Sequence, residues 1–269
     1  MLHSSVLLQL TPMNSILRSP RSPSSRLRAV VGGLLAVGCW LSAVGLSAQT
    51  PANKQIKYVR DAEEYAVLTR QVYRQALAAV TAAVRERSVR TGGPWGVVLD
   101  IDETVLDNST YELERSAYGL PFDNQSWNAW VTRGEAGVVP GVVDFIYGIR
   151  RLGGRVAYIS NRDEAVRSAT VANLQHYSLW NDIDRLCLAT DSTYPKSARR
   201  AEMVEGRGNC SWNGTPVPVL AFIGDQMGDF PATVESDQDA GKDEAFGRRY
   251  FILPDPLYGA WTTRVTRSR

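Results

Sequence analysis

Residues 97–109 read Val97-Val98-Leu99-Asp100-Ile101-Asp102-Glu103-Thr104-Val105-Leu106-Asp107-Asn108-Ser109. Three apolar residues, two of them β-branched, follow Gly92, Gly93 and Pro94 and run straight into two carboxylates one residue apart. An unbroken apolar run bounded by turn formers predicts a short strand buried on both faces, as in a parallel sheet. In open α/β sheets the ligand crevice lies beyond the carboxyl ends of the strands, which is where Asp100 and Asp102 fall.

Two acids this close repel, and one keeps its proton unless a cation shares the site. A divalent cation removes the conflict, and an oxygen-only donor set suits Mg²⁺. Asp100 can then attack phosphorus as an anionic nucleophile while Asp102 gives and takes the leaving group's proton. Asp-x-Asp by itself is also an ordinary acidic turn after a strand. The longer string is more specific. An Asp-x-Asp-x-Thr after an apolar strand resembles the first motif of the haloacid dehalogenase (HAD) superfamily. Residues 100–109, with Tyr111 after them, are similar to the class C acid phosphatases within it.

The rest of the composition removes rivals. His3 and His176 are the only histidines of the 269 residues. A zinc hydrolase needs several His ligands. A histidine nucleophile would need an Arg-His-Gly context, and His176 stands in the helical pattern VANLQHYSLW, as a helix-face residue. The formal charge of +2 misleads, because Arg18, Arg21, Arg26 and Arg28 stand in residues 1–48, which hold no acid. Taking those four from the 30 basic residues leaves 26 against 28 acidic ones, so the remainder carries no electrostatic footprint for nucleic acid.

Those arginines precede an uncharged run over residues 29–53, apolar as far as Leu46. A basic flank, an apolar stretch and then Leu46-Ser47-Ala48 is the layout of a secretory signal cleaved after Ala48. Ala36-Val37-Gly38-Cys39 is also similar to a bacterial lipobox that would leave Cys39 acylated, and the apolar part is just long enough to stay as an anchor. All three alternatives export the domain and place it in the periplasm or cell envelope of a bacterium. Cys187 and Cys210 are the cysteines left after Ala48. In an oxidising compartment they can pair, or they can be one buried and one loop thiol.

Along the remainder, residues 56–90 predict one long helix whose stripe Tyr58, Ala62, Tyr65, Leu68, Val72, Ala76 and Val80 packs on a core. Residues 111–137 hold Tyr118, Phe122, Trp127 and Trp130, with a short helix expected from Ser126, as N-cap, to Arg133. Pro140-Gly141 opens a helix through Leu152, and residues 155–159 form a strand ending at Ser160-Asn161-Arg162. A further helix is expected from Asp163 to about Trp180. A hydroxyl and free N–H groups at that helix start make a phosphate cradle. Residues 185–189, 217–223 and 250–253 predict three more strands. Lys196 follows Pro195, with Arg199 and Arg200 expected on the surface, and residues 237–248 read as a polar loop.

Several of these stretches extend the resemblance. YISNR over residues 158–162 resembles the second HAD motif in its class C form, and Gly224-Asp225-Gln226-Met227-Gly228-Asp229 resembles the fourth, Gly-Asp-x-x-x-Asp. Residues 254–261, PDPLYGAW, resemble the class C carboxyl-terminal signature, and WNAW over residues 127–130 the class C lid. Where relatives often carry Asn-Leu, this chain has Gln226-Met227.

The resemblance implies an α/β fold, a Rossmann-type parallel sheet with helices on both faces and a small α-helical cap around residues 110–137, within a single domain over residues 49–269. It implies Asp100 as nucleophile, Asp102 as acid and base, and Lys196 holding the nucleophile ionised. Ser160 and Asn161 would bind phosphate, and Tyr258 would stack on the substrate's base. Mg²⁺ would sit on Asp100, Asp225 and the main-chain carbonyl of Asp102, with Asp229 orienting it from behind. The implied reaction is hydrolysis of phosphomonoesters, nucleoside 5′-monophosphates above all. Phosphotransfer to an alcohol, and a binding or storage protein on the same scaffold, are the alternatives.

Overall fold

The computed structural model describes residues 51–90, 93–191, 193–231 and 244–263, all within the unit Ser47–Arg269. The expected export segment over residues 1–48 and most of the expected loop over residues 237–248 lie outside the described residues.

The chain forms α1 (Pro51–Asp61), α2 (Glu63–Arg90), β1 (Gly96–Leu99), β2 (Leu106–Asp107), α3 (Ser109–Ala117), α4 (Asn124–Arg133), β3 (Gly137–Val138), α5 (Val142–Arg151) and β4 (Arg155–Asp163). It continues through α6 (Arg167–His176), β5 (Arg185–Ala189), α7 (Lys196–Glu205), β6 (Val219–Gly224) and β7 (Tyr250–Ile252). The main sheet has the order β5-β4-β1-β6-β7, and every pairing in it is parallel. β1 is the central strand, which is why its apolar residues are buried on both sides. Val97 and Leu99 share one face with Val156, Tyr158 and Ile223, against Tyr73 and Ala76 of α2 and Phe145, Ile146 and Ile149 of α5. Val98 lies on the other face with Ala157, Ile159 and Phe222, against Met203 of α7 and Trp212. Each aliphatic or Phe side chain fully buried this way contributes about 1.5–3 kcal/mol. This is the expected parallel sheet with helices on both faces.

Cys187 on β5 and Cys210 after α7 form a disulfide, their Cα atoms 5.5 Å apart, so the pairing left open by the sequence is made. It ties the sheet to the segment that follows α7.

Several local expectations are corrected. The long helix breaks at Ala62, although the Ala62 N–H still donates to the Tyr58 carbonyl at 3.2 Å. The buried stripe is Ile56, Val59, Tyr65, Thr69, Tyr73, Ala76 and Val80, while Leu68 is exposed and Tyr58 half-buried. Two hydroxyls explain the displacement. Thr69 Oγ1 donates to the Tyr65 carbonyl at 3.1 Å and Tyr73 Oη to the Thr104 carbonyl at 2.5 Å, so both enter the core satisfied.

In the insertion, α3 is an unforeseen helix, and α4 starts at Asn124 with Asp123 as N-cap, its carboxylate accepting from the Ser126 N–H at 2.9 Å. The antiparallel pair β2–β3 closes the base of this insertion, joining Leu106 to Val138. The helix expected from Asp163 to Trp180 is α6, which starts at Arg167 and stops at His176. β4 runs on to Asp163, so Ser160, Asn161 and Arg162 stand on an irregular strand extension rather than at a helix start.

Candidate active site

The carboxyl ends of β1, β4 and β6 deliver Asp100, Ser160 and Asp225 to one end of the sheet, and α7 brings Lys196 to the same place. The Asp100 N–H donates to the Ile223 carbonyl at 3.0 Å, which fixes the residue against β6. Lys196 Nζ donates to Asp100 Oδ1 at 2.5 Å and also to Asp229 Oδ1. Asp229 reaches this spot because Gly224 has no side chain; a Cβ there would lie 2.3 Å from the Asp229 Cβ. Asp229 Oδ2 accepts from the Gln226 N–H at 2.8 Å, closing the turn.

Burial dominates the electrostatics. It pushes the Asp100 carboxyl up to about 7, with the Lys196 ammonium opposing the rise and Asp229 and Asp102 adding to it. Burial also raises Asp225 well above the usual carboxylate range, and Asp229 and Asp100 add to the effect. Burial pulls the Lys196 ammonium down, but Asp100 and Asp229 outweigh it and hold the charge. These groups carry a surplus of negative charge that a cation would relieve. Asp100, Asp225 and Asp229 each offer a carboxylate oxygen within 4.8 Å of the others, an all-oxygen set that fits a hard divalent ion.

The Asp102 carboxylate lines the same cavity but stands outside that oxygen cluster. Its Oδ1 accepts from Arg162 Nε at 2.9 Å, Arg162 Nη2 at 2.7 Å and Asn108 Nδ2 at 3.0 Å, and its Oδ2 accepts from Ser160 Oγ at 3.2 Å. Ser160 is buried, and its Oγ also accepts from the Arg162 N–H at 3.1 Å. Asn161 stands on the cavity wall, with Oδ1 accepting from Arg199 Nη2 at 2.6 Å.

Above these groups lies a cavity of about 900 Å³. Asp100, Asp102, Asp225 and Lys196 form its floor, while Phe122 and Trp127 of the insertion and Tyr258 of the carboxyl-terminal segment stand on its walls. Phe122 is exposed and Trp130 buried, so the insertion's aromatics divide between wall and core, and Tyr118 is exposed. The Tyr258 hydroxyl donates to Glu103 Oε2, and its main-chain carbonyl accepts from Gln226 Nε2 at 3.2 Å. Gln226 Nε2 also donates to Asp225 Oδ2 at 2.8 Å and Asp255 Oδ2 at 3.2 Å, so this residue links a floor carboxylate to the wall.

Two arginines expected on the surface are buried. Arg199 Nη1 donates to the Ser160 carbonyl at 2.5 Å and the Cys187 carbonyl at 3.2 Å, and Arg200 Nη1 donates to the Gly228 carbonyl. Both brace strand-end motifs. Arg162, Asn108 and Glu103 were likewise not singled out from the sequence, although all three stand inside its motifs.

Comparison with known proteins matches this geometry to one group. Residues 33–261 match the family described as HAD superfamily, subfamily IIIB (Acid phosphatase). Two solved structures of a class C acid phosphatase from Bacillus anthracis, one with tungstate bound, superpose with a TM-score of 0.66. They share 27% and 26% identity with the chain, and the matches cover 78% of it and 86% of theirs. Among curated relatives, Acid phosphatase 1 of Solanum lycopersicum is 30% identical over 169 residues, and Stem 31 kDa glycoprotein of Glycine max is 25% identical over 167. The matched part of the chain spans 57% and 58% of their lengths.

Proposed function

The chain belongs to HAD superfamily subfamily IIIB, the acid phosphatases, and from that premise we propose that it is an exported, Mg²⁺-dependent phosphomonoesterase working through a phospho-aspartyl intermediate. One observation carries the reading. The Lys196 ammonium bridges Asp100 and Asp229 at the sheet's carboxyl end, with Asp225 in the same oxygen cluster. An ionised, cation-clamped carboxylate under an open cavity is a nucleophile waiting for an electrophile.

Asp100 attacks phosphorus through a carboxylate oxygen. The bond from phosphorus to the ester oxygen breaks, and Asp102 gives that oxygen its proton. Water then attacks the phosphorus of aspartyl phosphate and loses its proton to Asp102, and inorganic phosphate leaves as the bond to Asp100 breaks. Lys196 keeps Asp100 ionised and offsets phosphate charge, and Asn161, with Ser160 behind it, orients the phosphoryl oxygens. Asp100, Asp225 and the main-chain carbonyl of Asp102 would hold Mg²⁺, with Asp229 orienting it. Bound there, the ion supplies Lewis-acid neutralisation of the phosphoryl group. The Bacillus anthracis relative was solved with tungstate bound, and tungstate is a tetrahedral oxyanion, which supports an oxyanion as a ligand of this chain too.

Nucleoside 5′-monophosphates are the proposed substrates. A cavity of about 900 Å³ walled by Phe122, Trp127 and Tyr258 has room for a base and aromatic faces to meet it. Export rests on the layout of residues 1–48, whether as a signal cleaved after Ala48, a lipoprotein signal at Cys39 or an anchor. The Cys187–Cys210 disulfide suits that oxidising destination. Among the described residues no helix is long and apolar enough to cross a membrane.

A substrate panel on purified protein, with Mg²⁺ and with excess chelator, tests the reading. Hydrolysis that chelation abolishes and Mg²⁺ restores is the expected result. Full activity in chelator would remove the metal assignment. Phosphate transferred to an added alcohol, rather than released, would identify a phosphotransferase. Tight nucleotide binding without turnover would leave a binding protein.

A further inference from the structure

Two arms run from helix α4 of the insertion to the Asp102 carboxylate. The Arg162 guanidinium lies over the Trp127 ring, its carbon 5.9 Å from the ring centroid, and Arg162 grips Asp102 Oδ1 through Nε at 2.9 Å and Nη2 at 2.7 Å. Trp130 Nε1 donates to Asn108 Oδ1 at 2.9 Å, which orients the amide so that Asn108 Nδ2 donates to the same Asp102 oxygen at 3.0 Å. Arg162, Asn108 and Trp130 are all buried. A salt bridge made only for stability is weak reason to bury a guanidinium, whose desolvation offsets most of the attraction. Here three donors converge on Oδ1, while among the described residues Oδ2 accepts from Ser160 alone, at 3.2 Å. Oδ2 therefore keeps the lone-pair room that a transferred proton requires.

We propose that Arg162 and Asn108, set by Trp127 and Trp130, are positioning residues that lock Asp102 with Oδ2 as its proton-transferring oxygen, so that the insertion assembles the acid and base as well as covering the cavity. The inference rests on Asp102 being acid and base in the proposed reaction.

The test uses leaving groups of different need for a proton. An alkyl oxygen, as in a nucleoside 5′-monophosphate, departs with a proton, whereas 4-nitrophenolate departs without one. kcat/KM reports the step in which that oxygen leaves. Arg162→Lys keeps the charge and loses the two-point grip; Trp130→Phe keeps most of the bulk and loses the N–H. In each variant kcat/KM for the nucleotide is expected to fall by about 10- to 100-fold, and for 4-nitrophenyl phosphate by less than about threefold. Equal losses on both esters, or no loss on either, would overturn the proposal, since a merely structural role does not discriminate leaving groups. If Trp130→Phe fails to fold, Arg162→Lys decides alone. Wild-type protein that hydrolyses neither ester would bring down the phosphatase reading itself, and this inference with it.

Discussion

Lys196 Nζ lies 2.5 Å from Asp100 Oδ1 and holds Asp229 with the same ammonium, so one cation from α7 clamps carboxylates delivered by β1 and by the turn after β6. Burial raises the Asp100 carboxyl to about 7 even with Lys196 opposing, so without the ammonium it would hold its proton at neutral pH. Asp100→Asn is expected to fold normally and lose nearly all turnover, because an amide cannot attack phosphorus. Lys196→Met should cost about 10²–10⁴-fold in kcat, the scale of a lost charge-stabilising group. A variant at Asp100 retaining more than a few per cent of activity would rule out the aspartyl intermediate.

The strand-end groups were legible in the sequence because each motif pairs an apolar strand with the polar residues that end it, a wholly local signal. Asp100 and Asp225 converge as expected for that reason, while Lys196, at the start of α7, was expected there from the resemblance. The supporting arginines were not legible. Arg199 and Arg200, in the first turns of a helix, read as solvent-facing, and their burial depends on carbonyls of Ser160, Cys187 and Gly228 that are remote in sequence. Thr69 and Tyr73 displaced the apolar stripe of α2 in the same way, since a periodicity count cannot see the acceptors that let a hydroxyl be buried. The resemblance singled out Asp102, but nothing local announced its grip by Arg162.

Arg199 offers a direct check on that hidden layer. Arg199→Leu removes the donors to the Ser160 and Cys187 carbonyls and to Asn161 Oδ1. A buried acceptor left unpaired costs about 1–3 kcal/mol, and each 1 kcal/mol is worth roughly 2–4 °C in a domain this size. The melting temperature should therefore drop by several degrees, and KM for phosphomonoesters should rise as Asn161 loses its brace. Arg199→Lys should recover only part of either, because an ammonium cannot reproduce the fork. Unchanged melting and KM in Arg199→Leu would show that the guanidinium is dispensable.

Glu103 yields a prediction about pH. It is buried, with a positive φ of 56°, and accepts from the Asn108 N–H at 2.9 Å and from the Tyr258 hydroxyl. Burial raises its carboxyl well above the usual range, and Asp102, Asp255 and Asp225 add to the rise. A carboxyl whose folded pKa is raised contributes stability below its unfolded pKa and loses it as pH rises toward the folded value. In chelator, wild-type protein should thus lose melting temperature relative to Glu103→Gln between about pH 4 and neutrality, since the amide never ionises. Parallel melting curves for the two proteins across that range would mean Glu103 stays ionised in the fold.

The remaining prediction separates two uses of Tyr258. The ring stands on the cavity wall, the hydroxyl is tied to Glu103, and the main-chain carbonyl accepts from Gln226 and from Trp261 Nε1 at 2.8 Å. Those ties make the ring a fixed plane, so little entropy is lost when a base lies on it. Stacking a base on an aromatic face contributes on the order of 1–3 kcal/mol, or roughly 5- to 150-fold in binding. Tyr258→Ala should then weaken kcat/KM for nucleoside monophosphates by that factor and leave a small phosphoester without a base nearly unchanged. Tyr258→Phe keeps the ring and loses the tie to Glu103, so its nucleotide kcat/KM should fall between wild type and Tyr258→Ala. If Tyr258→Ala instead lowers both substrates equally and melts early, the ring only seals the end of the core, and nucleotide preference must come from Phe122 and Trp127 across the cavity.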